Sequence, residues 1–209
     1  MTNSKQRKTV RGITGMRPTP YHKRADLTKK EIEVISHYKD LVNPQYEWDM
    51  KVRKKKGVGI DCQIINGLLR GEYSKLTLSR KDKARFTQSI RHINSAIRKS
   101  IVNTNLDLFR GLKPFKGLNK FQIGGTVTEQ GISSFTSSLR TAKEYSGKNH
   151  RGEYIYFHLE LKRGSRALYV DSDEKEWILK PMTKFKVRDI ERTRLGGRMA
   201  IIYHLELTT

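Results

Sequence analysis

At 209 residues the chain has room for one domain with a buried core, or for one domain with an appended segment. Its 43 Lys and Arg against 21 acidic residues leave a net charge of +22, which bears on partners and solubility rather than on fold. A polyanion is the first partner this suggests, with a generally basic, solvated surface as the plainer alternative. Cys62 is the only cysteine, which excludes an internal disulfide and a cysteine-based zinc site. No apolar run reaches the roughly 18 residues of a membrane span and no signal-peptide core follows Met1, so the expected address is a reducing cytosol, away from membranes.

Residues 1–24 carry Lys5, Arg7, Lys8, Arg11, Arg17, Lys23 and Arg24, no acidic residue, and two prolines. That composition predicts a basic, flexible arm over residues 1–27, ahead of a domain over 28–209. Thr28 stands three residues before Glu31, the spacing of a capping box, and Ile32, Ile35 and Tyr38 share one face of the helix expected to follow, up to Pro44. Lys51 to Lys56 sets five cations in six positions. Arg53, Lys54, Lys55 and Lys56 are therefore candidates for a nucleic-acid contact, and a solvated linker is the alternative reading. Between Gly59 and Gly71, Ile60, Ile64, Ile65, Leu68 and Leu69 form a helical stripe that closes at a glycine. A longer amphipathic helix is predicted over about 81–101, with Phe86, Ile90, Ile93 and Ile97 on its inner face.

Strand patterns begin after this helical part (28–103). Leu106, Leu108 and Arg110 alternate against Asp107 and Phe109, so a guanidinium shares an otherwise apolar strand face and needs a partner there, an internal salt bridge being the ordinary one. Gly124, Gly125 and Gly131 bracket a β-prone run over Thr126–Thr128. Five of the six residues from Ser133 to Ser138 then carry a hydroxyl, and a helical pattern follows with Ala142 and Tyr145 three apart. The order reads as strand, tight turn, second strand, helix. Hydroxyls at this density suit a polar ligand, although a Ser/Thr-rich surface turn has the same composition. Further strands are expected at Glu153–Leu161, Ala167–Val170, Lys184–Val187 and Ile201–Leu207. Glu174 and Glu176 precede the apolar Trp177-Ile178-Leu179, and their i, i+2 spacing lets both carboxylates enter one cleft.

Three of these segments, in this order, resemble the mono-ADP-ribosyltransferases of the Arg-Ser-Glu class. Arg110-Gly111 at a strand end resembles the first block. Ser134-Phe135-Thr136, with Ala142 eight residues after Ser134 and Tyr145 three later, resembles the nicotinamide-binding block, Phe135 standing where Thr is commoner. Glu174-x-Glu176 before an apolar strand and Pro181 resembles the third, and Ile65-Asn66-x-x-Leu69-Arg70 resembles a helix that lies ahead of the Arg in many members. Within the class the likeness is to small bacteriophage enzymes that modify host transcription and translation proteins.

The resemblance implies an α+β fold of the ADP-ribosyltransferase type, with amino-terminal helices followed by a split β-sandwich (104–209) around an NAD cleft. It implies NAD as co-substrate and no metal. Arg110, Gly111, Ser134, Phe135, Thr136 and Ser137 would bind NAD, with Thr136 or Ser137 as alternatives for the role of Ser134. Glu176 would stabilise the ribosyl cation, and Glu174 would deprotonate or pair with the acceptor. A Glu at the upstream position goes with arginine as acceptor, here on a host transcription or translation protein bound to RNA, such as the ribosome or RNA polymerase. RNA or DNA as the acceptor, and a catalytically silent nucleic-acid-binding protein, are the competing expectations.

Overall fold

The computed structural model describes residues 27–39, 61–71, 79–115, 117, 118, 121–171 and 173–208. The expected amino-terminal arm and Arg53, Lys54, Lys55 and Lys56 lie outside the described residues. Helix α1 (Lys29–Lys39) starts on the predicted capping box. The Thr28 N–H donates to Glu31 Oε2 at 2.7 Å and the Glu31 N–H donates to Thr28 Oγ1 at 3.2 Å, so two donors that a helix start leaves open are satisfied reciprocally. Helix α2 (Asp61–Leu69) ends before Gly71, whose φ of 70° is the left-handed geometry of a glycine stop. Helix α3 (Arg80–Lys99) begins where the Ser79 hydroxyl accepts the Asp82 N–H at 3.1 Å. Phe86, Ile93, Ala96 and Ile97 are its buried stripe, and each of the larger side chains contributes about 1.5–3 kcal/mol by leaving water.

Two expectations about helices are corrected. Ile32 is 47% exposed, and the inward stripe of α1 is Glu31, Val34 and Tyr38. The helix is rotated because the Glu31 carboxylate, engaged in the cap, also receives Lys99 Nζ from α3 at 2.9 Å, and a paired carboxylate can be buried where a lone one cannot. Helix α3 stops at Lys99 rather than at Ile101, because Ser100 turns extended and Ile101 bridges to Arg166.

Eight strands follow: β1 (Leu106–Leu112), β2 (Thr126–Glu129), β3 (Ser133–Thr136), β4 (Tyr154–Leu161), β5 (Leu168–Asp171), β6 (Glu176–Leu179), β7 (Thr183–Leu195) and β8 (Arg198–Leu207), with helix α4 (Leu139–Tyr145) between β3 and β4. Their order in the sheet is β2-β7-β8-β4-β1-β3-β6-β5. Strand β1 meets β4 over its whole length, from Leu106↔Leu161 to Leu112↔Ile155, yet touches β3 at the single pair Phe109↔Thr136. The sheet therefore splits there into a five-stranded and a three-stranded wing. Leu108, Phe157, Leu159, Val187 and Tyr203 of the larger wing and Phe135, Trp177 and Leu179 of the smaller share one apolar layer, so the wings face each other as a sandwich. Helices α1, α2 and α3 cover the other face of the small wing through Ile132, Leu168 and Ile178, while α4 covers the outer face of the large wing at Phe109, Tyr156, Ala200 and Ile202.

The split also changes what the glycine-bracketed stretch does. Strand β2 pairs with β7 at one edge of the large wing, whereas β3 pairs with β6 in the small one, so the segment around Gly131 crosses between wings instead of closing a hairpin. A Cβ on Gly131 would sit 2.8 Å from Asn66 Oδ1 and 3.1 Å from Arg70 Nε, which is why a residue without a side chain makes that crossing over α2.

Candidate active site

Where the two wings part, a cavity of about 510 Å³ opens between β1, β3, the β5–β6 turn and helices α1, α2 and α4. Arg110, Gly111, Ser134, Phe135, Thr136, Glu174 and Glu176 line it together; Ser137 does not, and its hydroxyl is buried without a partner among the described residues. A Cβ on Gly111 would sit 2.0 Å from the Ala142 carbonyl oxygen and 2.6 Å from the Ser146 nitrogen. Only glycine lets α4 lie this close to β1, and α4 brings Thr141 and Tyr145 to the cavity.

One wall is basic. Arg110, near the end of β1, donates from Nη1 to Glu129 Oε2 at 3.4 Å, and Arg70 Nε donates to Glu129 Oε1 at 3.1 Å. The Gly131 N–H adds a bond to the same Oε1 at 3.0 Å. Burial presses the Arg110 pKa down and Arg70 adds to that, while Glu129 partly offsets both. Burial works to raise Glu129, but the two guanidinium groups outweigh it and hold this carboxyl below its usual range. The internal salt bridge weighed for Arg110 is thus present, and two cations share its one carboxylate. Arg110 is the member of this cluster that lines the cavity, and its forked, positively charged donors fit a pyrophosphate. Asn66 braces this wall: its Oδ1 accepts the Ile132 N–H at 2.7 Å and its Nδ2 donates to the Tyr38 hydroxyl at 3.4 Å.

The opposite wall is acidic. Glu176 opens β6, paired with Thr136 on one side and Asp171 on the other. Glu174 lies in the preceding turn, where Lys175 has φ of 50°, so a left-handed turn rather than the pleat of a strand brings the two glutamates together. The hydroxyl-rich strand pins that turn. Thr136 Oγ1 donates to the Glu174 carbonyl at 2.6 Å and accepts the Ser138 N–H at 2.9 Å, and the Ser137 N–H donates to the Lys175 carbonyl at 3.1 Å. With the Thr136 hydroxyl committed to backbone and Ser137 outside the cavity, Ser134 is the member of the group whose hydroxyl stands beside Tyr38 on the cavity wall. Burial pushes the Tyr38 hydroxyl pKa up, Cys62 and Glu176 add to the rise, and its bonds with Asn66 and Ser134 reduce it.

Asp171, Glu174 and Glu176 place carboxylate oxygens within 4.8 Å of one another. The cation among them is Lys39, from the last turn of α1, with Nζ 2.9 Å from Glu174 Oε2, 3.3 Å from Asp171 Oδ2 and in contact with Glu176 Oε2. Burial alone would depress the Lys39 ammonium pKa, but Glu176 and Glu174 hold it above its ordinary value. The Tyr145 hydroxyl donates to Glu174 Oε1, a bond that chiefly accounts for its pKa being pushed up to about 12. Lys39, Asp171 and Glu129 carry no signal in the sequence. Their pairings are long-range, and no local pattern distinguishes them from solvated charges.

Residues 58–209 match the ADP-ribosyltransferase exoenzyme family. A stretch of 98 residues is 33% identical to the NAD–protein ADP-ribosyltransferase modB of Enterobacteria phage T4, and this alignment covers 46% of either chain. Among solved structures, the Vis toxin, an ADP-ribosyltransferase of Vibrio splendidus, superposes with a TM-score of 0.60 at 19% identity over 91% of this chain and 78% of its own. Plx2a, an ADP-ribosyltransferase toxin of Paenibacillus larvae, gives 0.59 at 17% identity over 89% of both chains. C3stau2 of S. aureus, solved with NAD, gives 0.54 at 19% identity over 89% and 90%. These neighbours share the fold, α+β with a split sheet, and the family match takes in every residue lining the cavity except Tyr38 and Lys39: the chain belongs to the ADP-ribosyltransferase exoenzyme family, enzymes that take ADP-ribose from NAD.

Proposed function

We propose that the chain transfers a single ADP-ribose from NAD to the guanidinium of an arginine, on a protein of the transcription or translation machinery of a bacterial or phage-infected cell. The observation that carries this reading is the acidic wall, where three carboxylates hold one internal ammonium. That surplus of negative charge suits both a ribosyl cation and a cationic acceptor.

In this reading Arg110, with Arg70 beside it, receives the pyrophosphate of NAD, and Ser134 meets the nicotinamide ribose. Glu176 accepts a hydrogen bond from a ribose hydroxyl and faces the anomeric carbon as its bond to the nicotinamide nitrogen breaks, the bonding pair leaving with nicotinamide. Glu174, held by Lys39 and Tyr145, takes the proton of the incoming guanidinium as its nitrogen bonds that carbon. Such electrostatic stabilisation in a water-poor site contributes about 10²–10³ in rate per well-placed group.

The net charge of +22 supports an acceptor associated with nucleic acid. So do two exposed cations on the large wing: Lys148 Nζ and the Arg198 guanidinium both lie over the Tyr154 ring, at 5.4 and 5.1 Å. The test of acceptor chemistry is Glu174→Gln. Nicotinamide release in the absence of acceptor should persist within about tenfold, while transfer to agmatine or to arginine-containing protein falls by a further factor of about 100. Equal loss of both activities would remove the division of roles. Labelled ADP-ribose that is released from a host lysate by nuclease rather than by protease would move the acceptor to RNA or DNA.

A further inference from the structure

Lys39 belongs to none of the three blocks that suggest the chemistry, yet it touches both glutamates of the last one. We propose that Lys39 is a positioning residue for the transfer reaction, a counter-charge from the helical layer that gathers Asp171, Glu174 and Glu176 and so holds the two glutamates in place on the cavity wall. The inference goes beyond the proposed function but rests on it for the activity being measured.

The direction of approach decides between this role and that of a plug. Lys39 meets Glu176 through Oε2, an atom with essentially no solvent exposure and no other hydrogen-bond partner among the described residues. Glu176 and Lys39 both line the cavity, and the ammonium meets the carboxylate at the oxygen that is closed to solvent. An ammonium seated at that closed oxygen supports the carboxylate rather than capping its open side. It meets Glu174 through Oε2 as well, while Oε1 takes the Tyr145 hydroxyl. Asp171 uses Oδ1 to accept the N–H groups of Asp173 and Glu174, at 2.7 and 3.1 Å, and turns Oδ2 to Lys39. A single ammonium therefore gathers one oxygen from each of three carboxylates that would otherwise repel one another.

Lys39 is held firmly enough to do this. Its neighbour Tyr38 is 2% exposed, and the Glu31–Lys99 pair ties α1 to α3. The other titratable groups on the cavity wall are Tyr38 and Cys62 from the helices, Tyr145 from α4, and Arg110 and Lys113 from the β1 side. Arg110 is engaged by Glu129, and both tyrosines keep their protons well above neutral pH. Lys39 is the cation that the structure places within 4 Å of all three carboxylates. Burial works to raise the Asp171 pKa, but the N–H groups of Glu174 and Asp173 and then Lys39 outweigh it; without the ammonium the three carboxylates repel one another unopposed and Asp171 takes up a proton at higher pH.

The test compares Lys39→Met and Lys39→Arg in the full chain, following nicotinamide release from NAD between pH 5 and 9. Lys39→Met should lower kcat at pH 7 by about 10- to 100-fold and move the acid limb of the profile up by about one pH unit or more, with KM for NAD changed less than about threefold. Lys39→Arg should restore both. A rise in kcat on removing the ammonium, or a fall equal at every pH that arginine does not rescue, overturns the proposal. Where Lys39→Met lowers the melting temperature, Asp171→Asn in the same chain gives an independent reading, because removing one repelling charge should carry the acid limb back toward the parent; no return overturns the proposal. Absence of nicotinamide release by the parent protein would sink the transferase reading instead. Carboxyl ¹³C titration by NMR then decides on Lys39 alone, an unchanged titration of the three acids in Lys39→Met counting against it.

Discussion

The two walls of the cavity are built on opposite rules. On the basic side two guanidinium groups, Arg110 and Arg70, share one carboxylate, Glu129; on the acidic side three carboxylates, Asp171, Glu174 and Glu176, share one ammonium, Lys39. In each cluster the minority charge does what a buried ion requires, offsetting desolvation and fixing geometry, and in each the majority charge is left over. A site meant only for stability would balance its charges. The surplus is positive on one side and negative on the other, and under the proposed function the first receives the pyrophosphate and the second faces the ribosyl cation, which would give NAD one orientation in the cavity.

The largest test of this polarity is Glu176→Gln. It keeps size and most hydrogen bonds but removes the charge that faces the developing cation, so nicotinamide release and transfer should both fall by about 10³-fold, with NAD affinity changed little. A variant within tenfold of the parent would mean that the acidic wall is not the catalytic one. On the basic wall Arg110→Lys keeps the charge and loses the fork. NAD affinity measured by calorimetry should drop by roughly 10- to 100-fold, the loss of a bidentate, charge-assisted contact, while the melting temperature stays close to that of the parent. Unchanged affinity would reassign Arg110 to a structural salt bridge with Glu129.

How far the sequence announces these walls differs between them. The capping box at Thr28 and Glu31, the stripe of α3 and the glycine stop at Gly71 are local patterns, and each forms as the spacing predicts. The resemblance of three blocks to one enzyme class brings Arg110, Ser134, Glu174 and Glu176 to one cavity although they span three strands and a turn. The minority ions escape any such reading. Lys39 and Glu174 are 135 positions apart, and Glu129 sits in a strand whose residues alternate exposed and half-buried like those of any edge strand. Ile32 shows the limit of periodicity itself: an apolar residue next to the stripe and a charged one within it exchange places once Glu31 has two partners to bury against. The wing-to-wing crossing at Gly131 was equally hidden, because a glycine that avoids Asn66 and Arg70 reads locally as a turn.

Glu31, which is buried, and Lys99, which is exposed, form another pair, one cation to one carboxylate, that stands in contrast to both walls. With no surplus charge and no place on the cavity wall, this pair is expected to serve stability alone. Burial works to raise the Glu31 pKa, but Lys99, Ser95 and Thr28 outweigh it and hold the carboxyl at about 2. A folded-state pKa below the unfolded one adds stability that is complete above the unfolded value of about 4.3 and is lost as pH falls toward about 2. Glu31→Gln should therefore cost about 1–2 kcal/mol near pH 7, the combined worth of a cap and a charge-assisted hydrogen bond, and leave NAD affinity unchanged. Denaturant midpoints of parent and variant, compared from pH 7 down to about pH 2.5, should converge across the acid window. A gap that stays constant to the lowest pH would show that the side chain acts through packing, and a change in NAD affinity would show that α1 transmits its anchoring to the site through Lys39.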